Sequence, residues 1–199
     1  MAANLTVHPM TPAIGAEIAG VDLSRPLDGA TADAIYRALI DHLVIFIRDQ
    51  QDLAPESQLR FAQSFGEIAA GHPVYAHIEG LESVTILENR PDAPPDTNVW
   101  HTDMTFRPEP PFASVLWACD VPPVGGDTCW ASMYAAYDAL SDDMKRWLGG
   151  LSAVHEGVFA RRHLRKQGLA QSEDPLIHVG SAVHPVVLHH PGNLYEDKV

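Results

Sequence analysis

The stretch Trp100-His101-Thr102-Asp103 decides the fold that this sequence predicts. It follows a turn-rich loop, Pro91-Asp92-Ala93-Pro94-Pro95-Asp96, so we expect it to begin an extended strand. In a strand, residues i and i+2 point to the same face of the sheet. The imidazole of His101 and the carboxylate of Asp103 should therefore approach one point from the same side. Trp100 is expected to pack against its neighbours rather than take part in chemistry.

This pair of side chains is typical of a metal site. An imidazole and a carboxylate are two of the three ligands in the 2-His-1-carboxylate triad that binds non-haem Fe(II). The third ligand would be a distant histidine, and the chain has 11 histidines in all. His-x-Asp also occurs by chance, in which case His101 and Asp103 would be two polar residues on a surface strand.

The composition predicts one globular domain over residues 1–199. The chain is 46% hydrophobic and 20% charged, and 199 residues suffice for a sizeable core. Its formal net charge of -13 disfavours nucleic acid and anionic membranes as partners. Local basic groups could still bind a small anion.

The cysteines and the N-terminus indicate a reducing compartment. Cys119 and Cys129 are too few for a disulfide framework, and both lie in apolar runs, so we expect buried free thiols. Residues 1–5 lack the pattern of a signal peptide, and no apolar run approaches the length of a membrane span. A cytoplasmic location is therefore expected.

Three helices are expected from caps and apolar spacing. Thr31 would be the N-cap of the first, Pro55 would open the second before its stop at Gly66, and Ser141 would cap the third, Asp142–Leu148. Their apolar positions are Ile35, Leu39 and Leu43 in the first helix and Leu59, Phe61 and Phe65 in the second.

Extended segments are expected between Gly- and Pro-rich turns. They cover residues 5–18 (around a turn at Pro12 and Gly15), 43–47, 84–87, 113–119, 128–131 and 182–188. Residues 157–180 are polar and irregular, and their basic patch, 161–166, could be a mobile lid or a solvated loop. Strands and helices in this order predict an α+β protein built on a β-sandwich or jelly roll.

Several segments recur together in one known family. They are residues 14–23 (IGAEIAGVDL), 46–50 (FIRDQ), 65–66 (FG), 72–75 (HPVY), 100–106 (WHTDMTF), 125–128 (GGDT) and 184–187 (HPVV). In this order they closely resemble the taurine dioxygenase (TauD/TfdA-type) family of Fe(II)- and 2-oxoglutarate-dependent dioxygenases, over nearly the whole chain. The resemblance implies a double-stranded β-helix, or jelly roll, with flanking helices.

The resemblance also implies two iron ligands, one contact to 2-oxoglutarate and three contacts to substrate. These are His101 and Asp103 for iron, Thr128 for a carboxylate of 2-oxoglutarate, and His72, Tyr75 and Thr97 for the substrate. Thr97 stands where the taurine enzymes have an asparagine. Apart from the resemblance, His72 and Tyr75 could be surface groups, and Thr128 could be an ordinary strand threonine.

Such an enzyme would use Fe(II), 2-oxoglutarate and O2 to hydroxylate a small anionic substrate. For a sulfonate such as taurine, the hydroxylated product collapses to an aldehyde and sulfite. Sister branches of the family act on alkyl sulfates or aryloxyalkanoates, and these remain alternatives. A homo-oligomer is compatible with this assignment.

The chain departs from the family pattern after residues 184–191. No equivalent is present of the distal histidine that is the third iron ligand, or of the arginines that bind 2-oxoglutarate and sulfonate. We therefore expect a C-terminally truncated domain without its last strands, inactive or nearly so by itself. His189 and His190 fall where the family has a segment remote from iron, and Arg161, Arg162 and Arg165 match no anchoring position. The alternative is an inactive family member that serves only as an interaction partner or is a remnant.

Overall fold

The computed structural model describes residues 5–51, 53–72, 75–89, 99–157 and 180–190. In these ranges the chain forms four helices and seven strands, in one three-stranded and two two-stranded sheets. In chain order the elements are β1 (Thr6–Pro9), β2 (Ala16–Ala19), α1 (Gly29–His42), β3 (Ile45–Ile47), α2 (Pro55–Gln63), β4 (His77–Ile78), β5 (Leu81–Thr85), α3 (Met133–Asp138), α4 (Asp142–Leu148), β6 (Ser152–Glu156) and β7 (Ser181–Pro185).

The chain divides into two compact units. Unit 1 comprises Met1–Ile68, Val115–Arg146 and His189–Val199. Unit 2 comprises Ala69–Ser114 and Trp147–Leu188. The prediction of a single domain over residues 1–199 stays a prediction.

Unit 1 holds a three-stranded sheet and an apolar core. β1 pairs antiparallel with β2, and β2 pairs parallel with β3. Ile18 on β2 and Ile35 on α1 are each 1% exposed, because the period of the strand and that of the helix place them on inward faces. The buried cluster consists of Ile18, Leu23, Ile35, Ala38, Leu53 and Phe61.

The predicted start of the first helix was wrong by one turn. Asp28 is the N-cap, and its carboxylate accepts a hydrogen bond of 2.7 Å from the backbone N–H of Thr31. Thr31, the predicted cap, is instead buried in the first turn. The helix ends at His42, and its C-cap, Leu43, has a positive φ of 66°, so the predicted strand 43–47 begins only at Ile45.

Two other helix boundaries were predicted from local signals. Pro55 occupies the first turn of α2, as predicted, but the helix ends before Ser64 rather than at Gly66. The predicted helix Asp142–Leu148 is confirmed as α4, and the Ser141 hydroxyl accepts from the backbone N–H of Met144 at 3.3 Å. Each of these two helix starts was predicted from a residue, Pro55 or Ser141, that lies within one turn of the start of its helix.

The strand predictions had mixed outcomes. β1 lies within the predicted range 5–18, and β2 overlaps it but ends one residue later, at Ala19. β5 and β7 overlap the predicted ranges 84–87 and 182–188. Residues 113–119 and 128–131 form no strand, because nothing in the described ranges pairs with them. α3, β4 and β6 were not predicted. Helices with small, mainly antiparallel sheets agree with an α+β protein.

The structure also tests the expected burial of the two cysteines and the expected packing of Trp100. Cys119 and Cys129 are both exposed, so the prediction of buried thiols was wrong. Trp100 is 73% exposed and does not pack as expected.

Within the described ranges, no helix is long and apolar enough to span a membrane. Thr97, the basic patch 161–166 with Arg161, Arg162 and Arg165, and the chain after His190 lie outside the described residues.

Candidate metal centre

The His-x-Asp segment lies in a bend of unit 2 rather than on a strand. No strand covers residues 99–103, and a turn follows at residues 103–106, so the predicted strand was wrong. The two side chains nevertheless converge: Nε2 of His101 lies 3.1 Å from Oδ1 of Asp103. The bend brings them together without the alternation of a paired strand. Both are accessible, with side chains 49% and 60% exposed.

Hydrogen bonds orient both members of this pair. Nδ1 of His101 lies 2.8 Å from the carbonyl oxygen of Val99. A carbonyl oxygen only accepts, so Nδ1 carries the hydrogen, and in the neutral ring the lone pair is on Nε2, which faces Asp103. The hydroxyl of Ser114 donates to the other carboxylate oxygen, Oδ2, at 3.2 Å. Metal-binding histidines and carboxylates are commonly held in this way by a second set of partners.

The donor set fits part of an Fe(II) site. Two neighbouring ligand atoms, each about 2.1 Å from an octahedral ion, lie about 3 Å apart, which matches the His101–Asp103 separation. Imidazole nitrogen and carboxylate oxygen are also the donor types of the Fe(II) triad. In the described part of the chain, no group of three or more His, Cys, Asp or Glu residues could hold a metal. The described residues thus supply two ligands.

Three other histidines in the described ranges have different surroundings. Nε2 of His184, in β7, lies 2.8 Å from the carbonyl oxygen of Thr105 and 3.0 Å from that of Arg107. His189 is exposed. His190 is in unit 1, where its ring centroid is 6.4 Å from that of Tyr134 and burial lowers its pKa. None of these contacts assigns a ligand role.

The predicted substrate residues His72 and Tyr75 lie together in unit 2. Their ring centroids are 4.6 Å apart at an angle of 38°. The backbone N–H of His72 donates to Oγ1 of Thr85 at 3.4 Å. A Cβ at Gly71 would lie 2.2 Å from the carbonyl oxygen of Glu82, so only glycine lets this segment approach β5 so closely. These contacts hold the backbone before and at His72 close to β5, and the substrate role of His72 and Tyr75 stays a prediction.

Thr128 belongs to unit 1 and is exposed. It follows Gly125 and Gly126, whose φ values of 80° and 74° define a tight turn. The prediction that Thr128 shares a cavity with His101 and Asp103 stays a prediction.

A cavity of about 430 Å³ lies in unit 1. It is lined by Glu17, Ile18, Ala19, Gly20, Val21, Asp22, Ser24, Arg48, Asp49, Gln50, Gln51 and Leu53. The predicted site residues that the structure describes are not among them. We assign no function to this cavity, because the chemistry of the His-x-Asp pair lies in the other unit.

Sequence reasoning missed Ser114 and His184 as parts of this region. Ser114 contacts a residue 11 positions away, and His184 contacts main-chain atoms 77 and 79 positions away. His184 had one signal, its place in the segment His184-Pro185-Val186-Val187 that carried the family resemblance. Nothing in the sequence pointed to Ser114.

Comparison with known proteins identifies a family that this chain matches over most of its length. Residues 6–198 match the family model described as "Taurine catabolism dioxygenase TauD, TfdA family". An alpha-ketoglutarate-dependent sulfate ester dioxygenase of Pseudomonas putida is 42% identical over 79% of this chain and 52% of its own length. An alkylsulfatase of Acinetobacter baylyi is 34% identical over 94% of this chain and 60% of its own length.

A solved structure is similar over the same extent. A taurine dioxygenase from Burkholderia xenovorans has a TM-score of 0.74 and 36% sequence identity, over 94% of this chain and 59% of that one. The chain therefore spans about half to three fifths of the length of these relatives.

Proposed function

The chain belongs to the taurine catabolism dioxygenase TauD, TfdA family, and we propose that it supplies two iron ligands, His101 and Asp103, to a dioxygenase. Proteins of this family are Fe(II)- and 2-oxoglutarate-dependent dioxygenases. The observation that supports the proposal best is the 3.1 Å approach of Nε2 of His101 to Oδ1 of Asp103. The hydrogen bond from Nδ1 to the Val99 carbonyl leaves Nε2, the nitrogen that faces Asp103, to bind a metal.

The fold proposed for the whole domain is the double-stranded β-helix, with residues 1–199 as one part of it. The similarity to a taurine dioxygenase of known structure, at a TM-score of 0.74, supports this proposal. Two exposed free thiols are compatible with a reducing compartment, so we propose a cytoplasmic location.

Each site residue has a proposed task. His101 and Asp103 hold Fe(II), and Ser114 keeps the second carboxylate oxygen of Asp103 from turning away. Thr128 would donate its hydroxyl to a carboxylate of 2-oxoglutarate. When bound, Fe(II) with 2-oxoglutarate and O2 supplies the oxidation that hydroxylates a carbon of the substrate and turns the keto acid into succinate and CO2.

The proposed substrate is a small organic sulfur oxyanion bound near His72 and Tyr75, with Thr97 as a third contact. An imidazole and a phenol can both donate hydrogen bonds to anionic oxygens, and the two rings lie side by side. The chain carries a formal net charge of -13, so anion binding depends on such local donors rather than on the overall field.

Two members of this substrate class are supported by different relatives. One similar solved structure is a taurine dioxygenase, which supports taurine. The relative that is 42% identical acts, by its name, on sulfate esters, which supports alkyl sulfates. Hydroxylation next to sulfur in taurine would release sulfite and an aldehyde. Hydroxylation of the carbon that bears a sulfate ester would release sulfate and an aldehyde.

The test begins with the full chain under anaerobic conditions. Titration with Fe(II) and 2-oxoglutarate should give the visible charge-transfer band of the chelate only weakly, because two ligands bind iron less tightly than three. Asp103→Asn should abolish this band, whereas the matched exposed variant Asp120→Asn should leave it unchanged. The ligand assignment is wrong if the Asp103→Asn protein keeps the band at the same iron concentration.

Oxygen is then admitted with one substrate at a time. Succinate, sulfite and sulfate are measured with taurine, a linear alkyl sulfate and an aryloxyacetate. Sulfite would assign taurine, sulfate would assign alkyl sulfates, and turnover of the aryloxyacetate alone would move the chain to that branch. Because the chain is expected to be inactive or nearly so by itself, absence of product alone would not favour the non-catalytic alternative, whereas a cooperatively folded chain that gives no band at all would.

A further inference from the structure

The turn that follows Asp103 contains a backbone conformation that other contacts must stabilise. Met104 has a positive φ of 53°, a region that residues other than glycine rarely adopt. The backbone N–H of Arg107 donates to the carbonyl oxygen of Met104 at 3.0 Å, which closes a turn over residues 104–107. The turn begins directly after the proposed iron ligand, so its position sets the backbone from which the Asp103 side chain extends.

His184 contacts this turn at two main-chain atoms. Its Nε2 lies 2.8 Å from the carbonyl oxygen of Thr105 and 3.0 Å from that of Arg107. Carbonyl oxygens only accept, so Nε2 must carry the hydrogen and share it between both. The His184 ring therefore attaches the turn to β7.

The β6–β7 pair holds the His184 ring in place. In the antiparallel register Ala153 faces His184, and His155 faces Ala182. The two histidines are thus diagonal neighbours on one face, with ring centroids 5.1 Å apart at 88°. Their alanine partners leave room for this edge-to-face contact. Gly180 also lies near this turn, since a Cβ added there would be 3.8 Å from the Phe106 carbonyl oxygen.

We propose that His184 is a positioning residue for the metal centre: its Nε2–H holds the turn after Asp103 and so directs the carboxylate toward His101. This inference rests on the proposed function for its relevance to iron. The contact itself is made by the protein alone, so it can be tested without metal.

The first test is made on the metal-free full chain by ¹⁵N NMR of histidine rings. His184 should be the Nε2–H tautomer with a slowly exchanging ring proton. The Nδ1–H of His101, bonded to Val99, reports on the position of the pair. In His184→Phe, which keeps an aromatic ring and loses the donor, this His101 proton should exchange with water several-fold faster.

Two matched variants distinguish the loss of the Nε2–H donor of His184 from the general effect of removing a histidine. His184→Gln places an amide N–H near the position of Nε2 and should restore slow exchange at His101. His8→Phe removes an exposed histidine of unit 1 and should have no effect. If His184→Phe does not fold, His184→Asn replaces it, because its shorter side chain carries an amide that cannot reach the turn. The Nδ1–H tautomer in the wild type, or unchanged His101 exchange in these variants, would overturn the proposal.

The second test measures the affinity for Mn(II) alone by electron paramagnetic resonance. His184→Phe should weaken binding about tenfold, while His184→Gln should stay close to the wild type. Equal affinity in the wild type and His184→Phe would refute the role toward metal. A wild-type chain that takes up no Mn(II) would instead contradict the proposed function, and the exchange of the His101 ring proton would then decide whether His184 positions this segment.

Discussion

Different interactions stabilise the interior of each of the two units. Seven of the buried hydrophobic residues in the described ranges belong to unit 1, and unit 2 contributes Ala182. Full burial of a large aliphatic side chain contributes about 1.5–3 kcal/mol, whereas a net hydrogen bond contributes about 0.5–1.5 kcal/mol. In its described residues, unit 2 is joined by strand pairing and by side-chain hydrogen bonds such as those of His184. Changes in unit 1 should therefore alter stability, and changes near the bend of unit 2 should alter binding.

The largest effect is expected from the core of unit 1. Ile35→Ala should lower the free energy of unfolding by about 2–5 kcal/mol, because it leaves a cavity beside Ile18 and Phe61. The matched change in unit 2 is Val154→Ala, at a residue that is 65% exposed, and should stay within about 0.5 kcal/mol. Urea unfolding curves of the two variants measure both free energies of unfolding. Equal losses would show that unit 2 has an apolar core of its own.

The next effect concerns the proposed ligand His101. His101→Ala should weaken Mn(II) binding at least about 100-fold, since loss of a direct ligand should exceed the usual effect of losing a supporting residue. Its free energy of unfolding should change by less than about 0.5 kcal/mol, because the side chain is half exposed. The exposed His8 provides the control, His8→Ala. A stability loss in His101→Ala with unchanged metal affinity would reverse the roles assigned to the two units.

A smaller effect is expected at Ser114. Ser114→Ala removes the donor to Oδ2 of Asp103 and should weaken Mn(II) binding about tenfold or less, because this hydrogen bond is exposed. Ser114→Thr keeps a hydroxyl and should remain close to the wild type. The same resonance titration measures both variants. If the threonine variant loses as much as the alanine variant, the hydroxyl does not hold the carboxylate.

The smallest effect is a pH dependence in unit 1. The hydrogen bond from Thr31 holds the pKa of Asp28 below its usual value of 3.8. A lowered pKa means that the N-cap stabilises α1 fully above that usual value, and that the contribution is lost as pH falls through the lower folded value. Asn can cap without titrating, so Asp28→Asn should match the wild type at neutral pH and lose less stability in acid. Thermal melts between neutral pH and about pH 2.5 test this, and parallel curves for both proteins would contradict it.

Local signals predicted what local interactions determine. Pro55 and Ser141 mark helix starts because their effects act within one turn. Thr31 was mistaken for a cap because Asp28, three residues earlier, is equally suited and is the residue that makes the bond. A sequence that offers two capping residues one turn apart does not decide between them.

Long-range pairing could not be predicted in the same way. Residues 113–119 have the composition of a strand, but a strand also needs a neighbour, and none pairs with them in the described ranges. The spacing of His101 and Asp103 correctly suggested that they converge, although a bend and not a strand brings them together. The contact of His184 with Thr105 spans 79 residues, and no single segment of sequence records it.

The exposure of Cys119 and Cys129 has a consequence for any metal titration of this chain. Thiolates are themselves soft ligands for transition metals, and accessible thiols also oxidise in air. Ions added to the wild-type protein can therefore distribute between the His-x-Asp pair and adventitious sulfur. A Cys119→Ser, Cys129→Ser background removes this competition and prevents disulfide-linked dimers from being mistaken for native assembly. The same two thiols, both in unit 1, offer attachment points for a spectroscopic label remote in sequence from His101 and Asp103.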